Sequence, residues 1–168
     1  MPAGTILSEG RYASRARART MTEVTLRRAG VAECDAIAAL FRLSKEAALP
    51  YLPALHTPEE DRAFFRKHVF ATCEVWVAET GGALAGLCAF RAGWIDHLYV
   101  HPAYHRRGIG GALLRKAMQT HVHLALWTFQ RNANARRFYE ACGFRCVRIT
   151  DGRDNEEREP DALYEWTR

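Results

Sequence analysis

The apolar runs of this 168-residue chain fall well short of the roughly 20 residues that cross a bilayer as a helix. No membrane-spanning helix and no membrane partner are therefore expected. The five cysteines, Cys34, Cys73, Cys88, Cys142 and Cys146, are odd in number and contain no Cys-x-x-Cys pair. That pattern argues against a disulfide framework and for a reduced, cytoplasmic chain. No internal repeat is present. Excess positive charge is scarce once it is located. The net charge is +5, but residues 1–20 hold Arg11, Arg15, Arg17 and Arg19 against Glu9, so the other 148 residues carry only +2. A nearly balanced body offers no nucleic-acid surface.

The basic 1–20 segment has few large apolar residues and no period, and reads as a disordered extension. A mis-assigned start before Met21 gives the same pattern, and the Arg, Ala and Ser content also fits a mitochondrial-type presequence. Residues 21–168 then form one domain. With 48% hydrophobic and 11% aromatic residues, the chain buries one sizeable core.

Val24–Arg27 reads as an edge strand, and Ile37, Leu40 and Phe41 mark an amphipathic helix that ends before Pro50. Thr57-Pro58-Glu59-Glu60 opens a second helix with a capping box and proline in its first turn. Glu74–Glu79 and Ala83–Phe90 pair as a hairpin through Gly81-Gly82. Trp94–Val100 is a further strand, and the continuously apolar Leu124–Trp127 reads as a buried parallel one. A helix over Asn132–Cys142, a strand over Phe144–Thr150 and a last strand through Leu163–Trp166 complete a mixed α/β sheet. His121 and His123 are expected on one strand face. His97, His101 and His105 recur every four residues, but Pro102 and the preceding strand rule out the helix that would turn them into a metal site.

The most informative stretch joins Trp94–Val100 to the next helix. After the turn at Pro102 come His105, Arg106, Arg107, Gly108, Ile109, Gly110 and Gly111. Ile109, Leu113, Leu114, Ala117 and Met118 then share a helical face. A helix start without side chains offers unpaired N–H groups and a positive dipole end, which suit an anion. This is no Walker A loop, because Gly110 is followed by Gly111 and Ala112. Nor is it a dinucleotide fingerprint, since Leu113 replaces the third glycine and no acid stands near Thr128-Phe129-Gln130.

His105-Arg106-Arg107-Gly108-Ile109-Gly110 resembles the Gln/Arg-x-x-Gly-x-Gly/Ala motif of the GCN5-related N-acetyltransferases (GNAT), with His105 departing at the first position. Asn132-Ala133-Asn134-Ala135-Arg136-Arg137-Phe138-Tyr139-Glu140-Ala141-Cys142-Gly143-Phe144 is similar to that family's Asn-x-x-Ala-x-x-Phe-Tyr-x-x-x-Gly-Phe signature. The resemblance covers Thr22 to the C-terminus. It implies a single domain with a mixed, mostly antiparallel sheet, splayed at a parallel pair between strands 4 and 5 and flanked by helices.

The same resemblance implies a set of roles. The main chain from Arg106 to Gly111 holds the pyrophosphate of acetyl-CoA, with His105 shaping the loop. Leu98, Tyr99 and Val100 pair with pantetheine, and one of their N–H groups faces the thioester carbonyl. Asn132 contacts CoA or caps its helix. Tyr139 protonates the leaving sulfur. Asp96 is the expected base and His97 the reserve, strand alternation allowing only one of them into the cleft. The strand carrying Trp127-Thr128-Phe129 lacks the acid that some relatives place there.

The segment 151–161 holds six acids in eleven residues. It is expected to border the acceptor site and to attract a cationic amine through Glu156 and Glu157, with Trp94 and Tyr51 as further lining candidates. The expected activity is acetyl transfer from acetyl-CoA to a primary amine by direct attack in a ternary complex, without a metal. The acceptor is a small molecule or a peptide, and a homodimer is among the assemblies the family forms. The alternatives are a non-catalytic acyl-CoA-binding regulator on the same fold and, at a distance, an RNA-associated basic module.

Overall fold

A computed structural model describes residues 23–168; the expected disordered extension, residues 1–20, lies outside them. The described strands are β1 Val24–Arg28, β2 Glu74–Thr80, β3 Ala83–Arg91, β4 Trp94–Val100, β5 His123–Phe129, β6 Arg145–Ile149 and β7 Asp161–Thr167. They form one sheet in the order β1-β2-β3-β4-β5-β7-β6. The helices are α1 Cys34–Ala48, α2 Pro58–Phe64, α3 Phe70–Thr72, α4 Ile109–Thr120 and α5 Ala133–Ala141. A π-helical segment, Phe65–Val69, joins α2 to α3.

Local chemistry explains several boundaries. The Thr57 N–H donates to Glu60 Oε2 at 2.7 Å and the Glu60 N–H donates to Thr57 Oγ1 at 3.2 Å, closing the capping box that starts α2. Gly81 and Gly82 take φ of 58° and 78°, the left-handed pair that a tight hairpin between twisted strands requires. His121 follows α4 as its C-cap. It therefore does not share a strand face with His123, because the helix runs on to Thr120, past Met118 at the end of its apolar face.

Two apolar layers sandwich the sheet. On one side Ile109, Leu113 and Leu114 of α4 pack with Leu124, Leu126, Tyr139, Phe144 and Tyr164. A Cβ on Gly86 of β3 would stand 3.0 Å from Leu113 and 3.1 Å from Ile109, so bare backbone there lets α4 lie close to the sheet. On the other side Ile37 and Phe41 of α1 pack with Phe65, Val77 and Leu87. That second layer stops at β4. On β5, alternation turns Leu124 and Leu126 toward α4 and Trp127 the opposite way, where it is 42% exposed.

β5 is a parallel strand only at its start. Trp94↔Ala125 is the one parallel register point with β4, whereas β5 pairs antiparallel with β7 from His123↔Thr167 to Phe129↔Asp161. Beyond Trp94 the two central strands part, which is the splay expected from the motifs. The sheet is mixed and otherwise antiparallel.

Candidate active site

The loop after β4 ends in two left-handed residues. Arg106 has φ of 61°, a strained choice for a residue with a Cβ. Gly108, at φ 77°, is the N-cap of α4. The first backbone bond across this start runs from the Ala112 N–H to the Gly108 carbonyl, so the N–H groups of Ile109, Gly110 and Gly111 stand ahead of the helical ladder. Arg106 and Arg107 are exposed beside them, and Arg107 lies over the Tyr104 ring at 5.2 Å. His105 closes the loop by bringing Nε2 to 2.9 Å from the Val100 carbonyl oxygen. Its side chain thus shapes the loop, and its ring N–H is the donor.

The β4 ladder sorts the expected pantetheine contacts. The His101 N–H donates to the Ala85 carbonyl, and Val100 stands opposite Gly86, Tyr99 opposite Leu87 and Leu98 opposite Cys88. Antiparallel alternation then commits the main chain of Tyr99 to β3 and turns that of Leu98 and Val100 to the open edge facing β5. Tyr99 is thereby corrected from an edge partner to a side-chain wall: its ring meets Phe41 edge-on at 5.0 Å.

The bulge in β4 overturns the expectation that only one of Asp96 and His97 reaches the cleft. The β3–β4 register shifts between Ala89↔His97 and Phe90↔Ile95, leaving Asp96 as the extra residue of a bulge. Strict alternation fails there, and both Asp96 and His97 border one cleft. Asp96 accepts from Arg91 Nε at 2.8 Å and Nη2 at 3.2 Å, and from the Cys73 thiol at 3.2 Å. His97 sits among the rings of Phe41, Phe64 and Phe65, at 5.6, 5.9 and 5.3 Å. Burial pushes its pKa down to about 4, so the imidazole is neutral near pH 7.

That cleft has a volume of about 660 Å³ and lies between α1, the segment before α2, the bulge of β4 and the 151–161 loop. Glu156 and Glu157 both line it, and each already holds a base. Lys45 Nζ is 2.9 Å from Glu157 Oε1, and His56 Nε2 is 3.0 Å from Glu156 Oε2. Arg42 likewise pairs with Asp61 at 2.6 Å. Lys45 and His56 are not legible in the sequence because they lie roughly 100 residues from their partners, and only the fold brings them together. Trp94 packs beside Arg91, 5.9 Å away, and Tyr51 lies under Arg131 at 4.0 Å. Neither belongs to the lining, which corrects both expectations; Phe41, Phe64 and Tyr99 are the aromatics that do.

Tyr139 sits in the α4-side core, 8% exposed, against Phe138, Phe144 and Tyr164. Burial raises its phenol pKa well above the usual range, so it remains a proton donor at any working pH. Asn132 Oδ1 accepts from the Ala135 N–H at 3.1 Å, confirming its place as the cap of α5. Among the described residues no group of three or more His, Cys, Asp or Glu is placed to hold a metal, and no helix is long and apolar enough to cross a membrane.

A mixed sheet splayed between β4 and β5, with a bare helix start at the head of the splay, defines an acyltransferase-type α/β fold. Residues 71–146 match the family described as "Acetyltransferase (GNAT) domain". The matched residues run from the end of α3 to the start of β6 and include the helix start at Gly108. Over 83 residues it is 39% identical to the peptidyl-lysine N-acetyltransferase YiaC of Escherichia coli, a match covering 49% of this chain and 57% of that protein. The chain thus spans about half the length of the curated relatives it matches. In fold it is similar to apo YjaB of Escherichia coli, with a TM-score of 0.68 at 21% identity over 86% of this chain and 97% of that one. It is also similar to yncA of Salmonella typhimurium, described as a putative acetyltransferase with its cofactor acetyl-CoA. There the TM-score is 0.66 at 18% identity, over 87% of this chain and 94% of that one.

Proposed function

We propose that the protein is an N-acetyltransferase that moves the acetyl group of acetyl-CoA to a primary amine by direct attack in a ternary complex. The observation that carries this reading is the helix start at Gly108 standing at the end of β4, whose edge beyond Trp94 is left open by β5. The N–H groups of Ile109, Gly110 and Gly111, with Arg106 and Arg107 beside them, suit a pyrophosphate. Each charge–dipole contact contributes roughly 0.3–1 kcal/mol, so several must act together. The open edge of Leu98 and Val100 suits the amides of pantetheine, and Asn132 stands at the start of α5 as a further CoA contact.

Acceptor chemistry belongs on the cleft side. An alkylamine with a pKa near 10.4 needs about 5 kcal/mol to lose its proton at pH 7. Asp96 accepts that proton, directly or through water, with Arg91 keeping its carboxylate oriented; neutral His97 is the reserve base. The free amine then attacks the thioester carbon, and an edge N–H of β4 stabilises the oxyanion. The C–S bond breaks as Tyr139 gives its proton to sulfur, and the surplus proton of the attacking nitrogen leaves to solvent, from which the phenol is restored. Glu156 and Glu157 supply negative charge at the mouth, tempered by His56 and Lys45.

Replacing Tyr139 with Phe tests the acid. Acetyl-CoA affinity is expected to stay within about twofold, while transfer to alkylamines and lysine peptides falls by tens-fold or more, in keeping with the usual worth of a general acid. Unchanged transfer would remove Tyr139 from the mechanism. Tight acetyl-CoA binding by the unaltered protein with no transfer to any amine would instead establish the non-catalytic regulator.

A further inference from the structure

A second hollow adjoins the acceptor cleft. It measures about 520 Å³ and crosses the uncovered side of β5, β7 and β6, with Trp127, Arg148, Asp154 and Asp161 among its walls. Phe129 and Glu157 line both hollows, so the two adjoin. Phe129 and Trp127 lie on the same side of β5, two residues or about 7 Å apart along the strand. In the ladder Trp127 pairs with Leu163, which pairs in turn with Arg148, so these three side chains cross the sheet in a row. Trp127 is 42% exposed in that row. Among the described residues the Arg148 guanidinium and the Asp154 carboxylate make no ion pair, unlike Lys45, His56, Arg42 and Asp61 in the neighbouring cleft.

We propose that this groove is a subsite for a polypeptide acceptor, taking an aromatic or large aliphatic side chain of the substrate on Trp127 about two residues from the modified lysine. The inference rests on the N-acetyltransferase reading above. Adjacency to the acceptor cleft argues for it, because a chain whose amine enters the cleft past Phe129 can leave over β5. The charge pattern agrees. An apolar centre with an unpaired cation and an unpaired anion at its margin suits the mixed surface of a peptide, and Arg148 is placed to meet an acidic side chain next to the aromatic one. A small amine fills the first cleft alone and has no use for the second.

The test uses the full chain and end-blocked glycine heptapeptides with one central lysine. They carry phenylalanine two positions before it, two positions after it, or not at all, and n-butylamine serves as the small acceptor. One phenylalanine placement is expected to raise kcat/KM about tenfold over the glycine peptide. Trp127→Ala should abolish that gain while leaving n-butylamine within twofold. An aspartate beside the phenylalanine should add a further gain that Arg148→Ala removes. Calorimetric binding of the same peptides to the unaltered protein and to Trp127→Ala needs no turnover, so it tests the groove even if transfer fails and the N-acetyltransferase reading falls. Equal binding and equal kinetics for all three peptides would overturn the subsite. So would a Trp127→Ala protein that loses peptide and n-butylamine activity together. A sedimentation shift from dimer to monomer in that variant would overturn it as well, since a second copy would then be the occupant.

Discussion

His97 shows how a single residue separates what spacing reveals from what packing decides. Its position one residue after Asp96 marked both as candidates for proton transfer, and both do border the cleft. The bulge that brings them together left no sign in the sequence, because an extra residue in a strand changes register without changing composition. The aromatic cage around His97 was equally illegible, being assembled from α1, α2 and the π segment. The cage has a measurable consequence. Its folded pKa of about 4 lies below the usual 6.5. Between those values the unfolded chain takes up a proton that the native imidazole refuses, so stability falls as pH drops through that window. The chemical-denaturation midpoint should decline from pH 6.5 to 4.5, by up to about 1.4 kcal/mol of stability per pH unit. His97→Phe should flatten that decline. A decline of the same steepness in the variant would assign the effect to other groups.

Among the elements, the strand–loop–helix unit around Gly108 was the most legible, because a glycine-rich helix start after an apolar strand is specified within some fifteen neighbouring residues. The 151–161 loop was legible only as a charged loop. Its folded form depends on Gly152, which has φ of 80° and whose Cβ, if present, would lie 2.4 Å from the Glu159 carbonyl carbon and 2.8 Å from the Pro160 nitrogen. Side chains are thus excluded by backbone atoms that cannot swing aside. A Gly152→Ala change adds a left-handed strain of roughly 1–3 kcal/mol to that clash, and the loop must shift. Since this loop carries Glu156 and Glu157 over the cleft, acceptor KM should rise at least several-fold while acetyl-CoA affinity stays the same. Steady-state kinetics with a fixed amine, alongside CoA titration, separates the two; an equal loss in both would mean that the damage reaches the α4 side.

At the level of the whole molecule, the sheet divides the labour. The α4–α5 side presents the bare helix start and Tyr139, the α1–α2 side presents an aromatic, acid-lined cleft, and the parting of β4 from β5 joins them. The helix start rests on neighbouring residues and the cleft on residues distant in sequence, which explains why the local motifs were readable and the cleft was not: Lys45 meets Glu157 only in the folded chain. Everything on the α4 side depends on the helix start binding acetyl-CoA. Calorimetric titration of the full chain with acetyl-CoA, desulfo-CoA and ATP tests it most directly, with Gly108→Val and Gly110→Val beside it. Micromolar binding of both CoA ligands, weaker binding of ATP, and loss of CoA binding in both variants are the predicted result. Absence of CoA binding, or binding that survives both substitutions, would contradict the account.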